Sequence, residues 1–267
     1  MKQLILLICF PLQVVCQNTI GFPDIINYPK QSYKAGLQNW DIKQDKNGIV
    51  YFANNEGLLS FDGKYWNNHP LPNKTNVRSV EIGPANRIYV GGQDELGYFA
   101  PAANGRLLYY SLIEQIAAKD RSFGDVWDIV AFKGNIYFRS PKKIFKFTDR
   151  AVAVFNAPSE WDFLGECNGK LFAHDYAAGL LVFENDIWAP VFTENILPVN
   201  DPVTGIISIQ KDSAIITTLK NGLFLLSDTR IAVLPSVNNQ LFKNERVYAA
   251  TSINKDWIAL ATNNNGI

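Results

Sequence analysis

Along the chain, apolar and polar positions recur in a fixed order. An apolar strand is followed by a polar turn and a second apolar strand, and then a glycine or a turn opens a third. The first unit reads Trp40-Asp41-Ile42, Asp45-Lys46-Asn47-Gly48, Ile49-Val50-Tyr51-Phe52 and Gly57-Leu58-Leu59-Ser60-Phe61. The second gives Arg78-Ser79-Val80, Arg87-Ile88-Tyr89-Val90 and Gly97-Tyr98-Phe99. The third gives Trp127-Asp128-Ile129, Asn135-Ile136-Tyr137-Phe138 and Ile144-Phe145-Lys146-Phe147, with Lys142-Lys143 in place of the glycine. The fourth and fifth start at Asp162 and Gly205, and a sixth opens at Tyr248-Ala249-Ala250 and continues through Trp257-Ile258-Ala259-Leu260 to Gly266-Ile267.

The unit starts are 38, 49, 35, 43 and 43 residues apart, a period of about 42. Four short strands at that period make one blade of a β-propeller. Fourth strands are expected at Ala151–Phe155 and Arg230–Leu234. Asn47-Gly48, Asp62-Gly63, Asn104-Gly105, Lys133-Gly134 and Asn168-Gly169 are hairpin dipeptides. The expected fold class is therefore all-β, a propeller of five blades and part of a sixth; a β-sandwich or two stacked sheets account less well for six matched units. One helix is predicted, over Leu112–Lys119, between the second and third blades. The sixth unit stops as its third strand begins, so the propeller reads as interrupted there.

At the N-terminus, Lys2 precedes an apolar run from Leu4 to Val15, broken by Pro11 and Gln13. A run of about 12 residues is too short to cross a bilayer and fits the core of an export signal. Val14 and Cys16 fit the small positions before a cleavage site, giving signal peptide 1–16, mature start Gln17 and a domain over 17–267. An alternative makes Cys16 the lipidated cysteine of a lipoprotein. Removal of residues 1–16 takes away Cys9 and Cys16 and leaves Cys167 alone, without an intramolecular disulfide partner. It reads as a free core cysteine, so packing must hold the domain together. Composition adds 25 Lys+Arg against 25 Asp+Glu, and 17 Phe, 11 Tyr and 6 Trp. A zero net charge argues against direct contact with nucleic acid or an anionic membrane surface.

Gln38-Asn39-Trp40-Asp41-Ile42, the run from Asp45 to Asp62-Gly63, and Val90-Gly91-Gly92-Gln93-Asp94-Glu95-Leu96-Gly97-Tyr98-Phe99 resemble the periplasmic sensor propellers of two-component regulators. The resemblance spans nearly all of the mature chain and is most specific over residues 36–100. In that family the propeller precedes a small sandwich with three tyrosines, a membrane helix, and an output that is a histidine kinase or a DNA-binding helix-turn-helix. It implies a non-catalytic, exported ligand sensor on the periplasmic side of an inner membrane, controlling transcription, with homodimerisation expected by analogy. The three downstream parts do not occur in this sequence.

Equivalent positions in successive blades lie on a ring around the propeller axis. The innermost strands are expected to start at Trp40, Arg78, Trp127, Asp162, Gly205 and Tyr248. Of these, Arg78, Trp40, Trp127, Asp162 and Tyr248 are the candidate ligand-binding residues. Aromatic faces stack on rings, and an arginine fork grips a carboxylate. The ligand class expected is a small molecule or glycan fragment, with no cofactor and no metal. Asp94-Glu95 and Lys142-Lys143 read as solvated turns, Asn73-Lys74-Thr75 as a sequon that matters only in a glycosylating host, and His69 and His174 as too isolated for a metal site. Two other uses of a propeller compete with sensing: a protein-binding scaffold, and a glycan lyase or hydrolase, which needs paired carboxylates or a base aimed into the funnel.

Overall fold

The structure, a computed structural model, describes residues 25–192, 196–228, 230–236, 238–264 and 266. The expected leader, with Cys16 and Gln17, lies outside the described residues. Five sheets have four strands each, every one an antiparallel meander in chain order. They are β1 (Asn39–Gln44), β2 (Val50–Asn54), β3 (Gly57–Phe61) and β4 (Trp66–His69); β5 (Val77–Ile82), β6 (Ile88–Gly92), β7 (Glu95–Pro101) and β8 (Leu107–Ser111); and β9 (Asp128–Phe132), β10 (Asn135–Arg139), β11 (Lys143–Phe147) and β12 (Val152–Asn156). The fourth holds β13 (Trp161–Cys167), β14 (Lys170–Asp175), β15 (Gly179–Glu184) and β16 (Ile187–Pro190), and the fifth β17 (Val203–Gln210), β18 (Ser213–Thr218), β19 (Gly222–Ser227) and β20 (Ile231–Val233). A sixth sheet pairs β21 (Val247–Ser252) with β22 (Ile258–Thr262). This is the propeller architecture expected from the repeat.

The first strand of each sheet packs beside the first strand of the next, β1 on β5 and onward to β17 on β21. These are the inner strands, as expected. The core is correspondingly a series of layers between blades. Tyr51, Ala53 and Leu58 meet Val80, Ile88, Val90 and Phe99, whereas Tyr89 and Leu96 meet Ile129, Phe138 and Phe145. Phe132, Tyr137 and Ile144 meet Leu164, Leu171 and Ala173, and Cys167 and Phe172 meet Ile216 and Phe224. The middle strands β6 and β10 are buried nearly throughout, on both faces, which is why they read as apolar runs rather than alternating. At the hairpin Asn168-Gly169 both residues have positive φ, 52° and 73°, as a two-residue turn of the primed type requires.

Carboxylates clasp neighbouring blades. Asp41 Oδ2 accepts the Val80 N–H at 3.0 Å, and Asp128 Oδ2 accepts the Leu164 N–H at 2.9 Å. Both acids hold the same place in the repeat, and each reaches the inner strand of the next blade. Asp175 pins the chain entering the fourth blade, accepting N–H groups of Ser159, Glu160, Ala177 and Ala178 and the Ser159 hydroxyl, all at 2.8–2.9 Å.

Three expectations are corrected. Leu112–Lys119 is not one helix but two 3-10 turns, Ile113–Gln115 and Ala118–Asp120. The Arg121 side chain donates to the carbonyls of Ile116 (2.8 Å) and Glu114 (3.3 Å), which are the acceptors a continuous helix would use. The Asp94-Glu95 turn is engaged rather than merely solvated. Asp94 accepts the Phe123 and Gly124 N–H groups at 2.7 Å, and Glu95 accepts the Tyr109 and Ser111 hydroxyls at 2.8 Å. Lys143 is likewise half of a mostly buried ion pair with Asp120, at 2.5 Å.

Candidate functional site

A β-bulge opens every complete inner strand except β9. In β1 the residues paired on either side of the bulge are Asn39 and Asp41, so Trp40 is the extra residue. In β5 it is Arg78, in β13 Asp162, in β17 Thr204 and in β21 Tyr248. Trp127 stands just ahead of β9, its N–H donating to the Arg139 carbonyl at 2.9 Å. A bulge re-aims one side chain out of the alternation, which here places it at the end of the inner strand. The fifth blade presents Thr204 at this position rather than the expected Gly205, and Thr204 hydrogen-bonds the Thr217 hydroxyl at 2.9 Å.

Three candidates converge. The Arg78 guanidinium lies over the Trp40 ring at 4.2 Å and over the Trp127 ring at 5.1 Å. The two indoles meet edge to face, 5.6 Å between centres and 82° between planes. Trp40 is fixed from behind by its indole N–H, which donates to Asn55 Oδ1 at 2.7 Å. Arg78 Nε faces Asp125 Oδ2 at 3.5 Å, close enough for an ion pair but without hydrogen-bond geometry; both Nε and the other Asp125 oxygen are buried without a hydrogen bond. The Val126 side chain packs directly on Gly91, the residue opposite Ser79, where an added Cβ would meet it at 2.4 Å.

Asp162 does not join this group. It turns inward to His174, with Oδ1 2.7 Å from Nδ1. Burial pushes the Asp162 carboxyl above its ordinary value, while the His174 bond and charge pull it back. Nearby, Arg139 reaches Asp128 through Nη2 and Nε at 2.7 and 2.8 Å and the Trp161 carbonyl at 3.2 Å. Asp162 and His174 are thus part of a buried polar layer between the third and fourth blades, a partnership that the single-residue view of His174 missed. Tyr248 is exposed on the two-stranded sixth sheet. Burial also raises Asp41, against the Val80 hydrogen bond and the Lys43 charge.

Two cavities lie at the opposite end of the blades. One, of about 500 Å³, is lined by Cys167, Lys170, Phe172, Lys211 and Asp212 between the fourth and fifth sheets. The other, of about 400 Å³, involves Phe132, Lys133, Lys146 and Asp186. Neither touches Trp40, Arg78 or Trp127. Cys167 is buried, and burial with the neighbouring Glu166 charge pushes its thiol up to about 11, unsuited to nucleophilic chemistry near neutral pH. Among the described residues no group of three or more His, Cys, Asp or Glu side chains could hold a metal ion, and no helix is long and apolar enough to cross a membrane.

No family model matches the chain, and no curated protein matches it in sequence. Solved structures match in fold. The extracellular domain of a protein assigned as a hybrid two-component system from B. thetaiotaomicron superposes with a TM-score of 0.66 at 15% identity, covering 86% of this chain and 31% of that one. A catalytically inactive virginiamycin B lyase from Staphylococcus aureus, crystallised with quinupristin, gives 0.63 at 15% identity over 91% and 85%. The WD40 propeller domain of Doa1 gives 0.55 at 16% identity over 74% and 68%. These likenesses establish the β-propeller fold, and this chain spans about a third of the length of the first.

Proposed function

We propose that this chain is the extracytoplasmic ligand-sensing propeller of a signalling protein, and that it binds a small molecule or glycan fragment without altering it. The single observation that carries the reading is the Trp40–Arg78–Trp127 cluster, two indoles and a guanidinium gathered from three consecutive blades at the bulged ends of the inner strands. Such a surface offers stacking faces and a fixed cation to a ring-shaped ligand. The fold likeness to an extracellular two-component domain supports the same reading, as does the sequence resemblance to periplasmic regulator propellers. By that resemblance the output is a transcriptional response, through a kinase or a DNA-binding domain on a further part of the signalling protein.

A lyase reading has one specific point in its favour, the likeness in fold to virginiamycin B lyase together with the His174–Asp162 pair. Its difficulty is access. The His174 side chain is 1% exposed, and a general base has to come within hydrogen-bond reach of its substrate. Thermal-shift screening of the protein against glycan fragments and organic acids, followed by chromatography of each stabilising compound after long incubation, separates the two. Sensing predicts a stabilising compound recovered intact; recovery of a product contradicts it.

A further inference from the structure

We infer that Arg78 is the anchor for a carboxylate, so that the ligand class of this surface is small organic acids and acidic sugars; the inference rests on the reading of the Trp40–Arg78–Trp127 cluster as the ligand site. The chain contains two mostly buried arginines in neighbouring blade junctions, and they differ in one respect. Arg139 spends its donors on protein, with two bonds to Asp128 and one to the Trp161 carbonyl. Arg78 is nearly as enclosed, with 16% of its side chain exposed, yet it donates no hydrogen bond to any described residue.

Its nearest counter-charge, Asp125, stands on the Nε side at 3.5 Å. Nε itself is buried without a hydrogen bond, whereas the two terminal nitrogens are not fully buried and bond no described residue. Set against the two indole rings, the planar guanidinium thus keeps its terminal Nη pair free of protein acceptors. That pair is the complement of a carboxylate, which accepts two parallel N–H bonds.

Asp125 bears on the charge preference. A monoanion in contact with the Nη pair is nearer to the Arg78 charge than to Asp125, which stands on the far side of the fork, so attraction outweighs repulsion. Asp125 repels a phosphate dianion twice as strongly as a monoanion, though Arg78 also attracts it twice as strongly, so removing the Asp125 charge favours the dianion more than the monoanion. Asp125 thus tempers the affinity for anions and narrows the advantage of a dianion over a monoanion.

The test is calorimetric titration of the wild-type protein with a panel of uronates and short aromatic and aliphatic acids, each beside its neutral amide and, for the sugars, the corresponding sugar phosphate. At least one acid should bind ten-fold or more tighter than its amide. Arg78→Gln should erase the preference, Arg78→Lys should keep only part of it, and Asp125→Asn should raise phosphate affinity several-fold relative to carboxylate. Thermal melts confirm that each variant is folded. Equal binding of acid and amide, or a preference that survives Arg78→Gln, overturns the inference. If neutral sugars bind, and Trp40→Ala removes that binding, the carboxylate assignment fails while the sensor reading stands. If no compound of any class binds, both fail.

Discussion

The guanidinium carbon of Arg78 sits 4.2 Å from the centre of the Trp40 ring, each residue being the bulged residue of its own inner strand in adjacent blades. Two exceptions to the strand alternation therefore meet across a blade boundary. A partly desolvated cation over an indole contributes about 1–2 kcal/mol. A double-mutant cycle of Trp40→Ala and Arg78→Ala, followed by urea unfolding, should give a coupling energy of that size. Simple additivity of the two variants would show that the contact contributes nothing to stability.

Asp128 links Arg139 to the Leu164 N–H. Replacing Asp128 with Ala strands a buried cation and should cost about 3–5 kcal/mol. The double variant Asp128→Leu/Arg139→Met removes both charges and should recover much of that loss. A double variant less stable than the single, measured by denaturant titration, would contradict this account of the clasp.

Burial raises the Asp175 carboxyl, but hydrogen bonds from Ala178, Ser159 and Ala177 outweigh it and hold the group below the usual range. A depressed folded value means that the stabilisation is complete above about pH 4 and is lost as pH falls through the folded-state value. Asp175→Asn should flatten the acid limb of a plot of melting temperature against pH. Asp175→Ala should cost about 3 kcal/mol at neutral pH, because several buried donors lose their acceptor.

His69 is displaced downward, chiefly by burial and then by the charge of Arg106. Its ring nitrogen lies 3.0 Å from the Ser60 hydroxyl. As pH falls through about 6.5 the unfolded chain gains a proton that the folded chain resists, so stability falls. His69→Gln should weaken that slope in unfolding experiments at pH 7 and pH 5. A wild-type protein that gains stability on acidification through this window, with His69→Gln removing the gain, would reverse the assigned direction.

How much was legible in the sequence differs from element to element. The blades were legible because hairpin dipeptides and apolar runs separated by polar turns are local signals, and the repeat placed Trp40, Arg78 and Trp127 at one register. The direction of each side chain was not. Asp162 shares that register, yet it turns to His174, twelve residues on in β14, where burial favours a satisfied pair over a solvent-facing carboxylate. The helix expected over Leu112–Lys119 was lost to Arg121, whose side chain captures backbone carbonyls from outside the predicted segment. Asp125 carried no sequence signal at all. It matters only because the bulge at Arg78 brings the two residues within 3.5 Å.

The central claim is that the ligand docks on the Trp40–Arg78–Trp127 surface. The most direct measurement is calorimetric titration of one stabilising compound from the screen into wild-type protein and into Arg78→Ala, with both confirmed folded by melting. The account predicts that affinity falls at least ten-fold in the variant. Unchanged affinity would place the ligand elsewhere and contradict the claim.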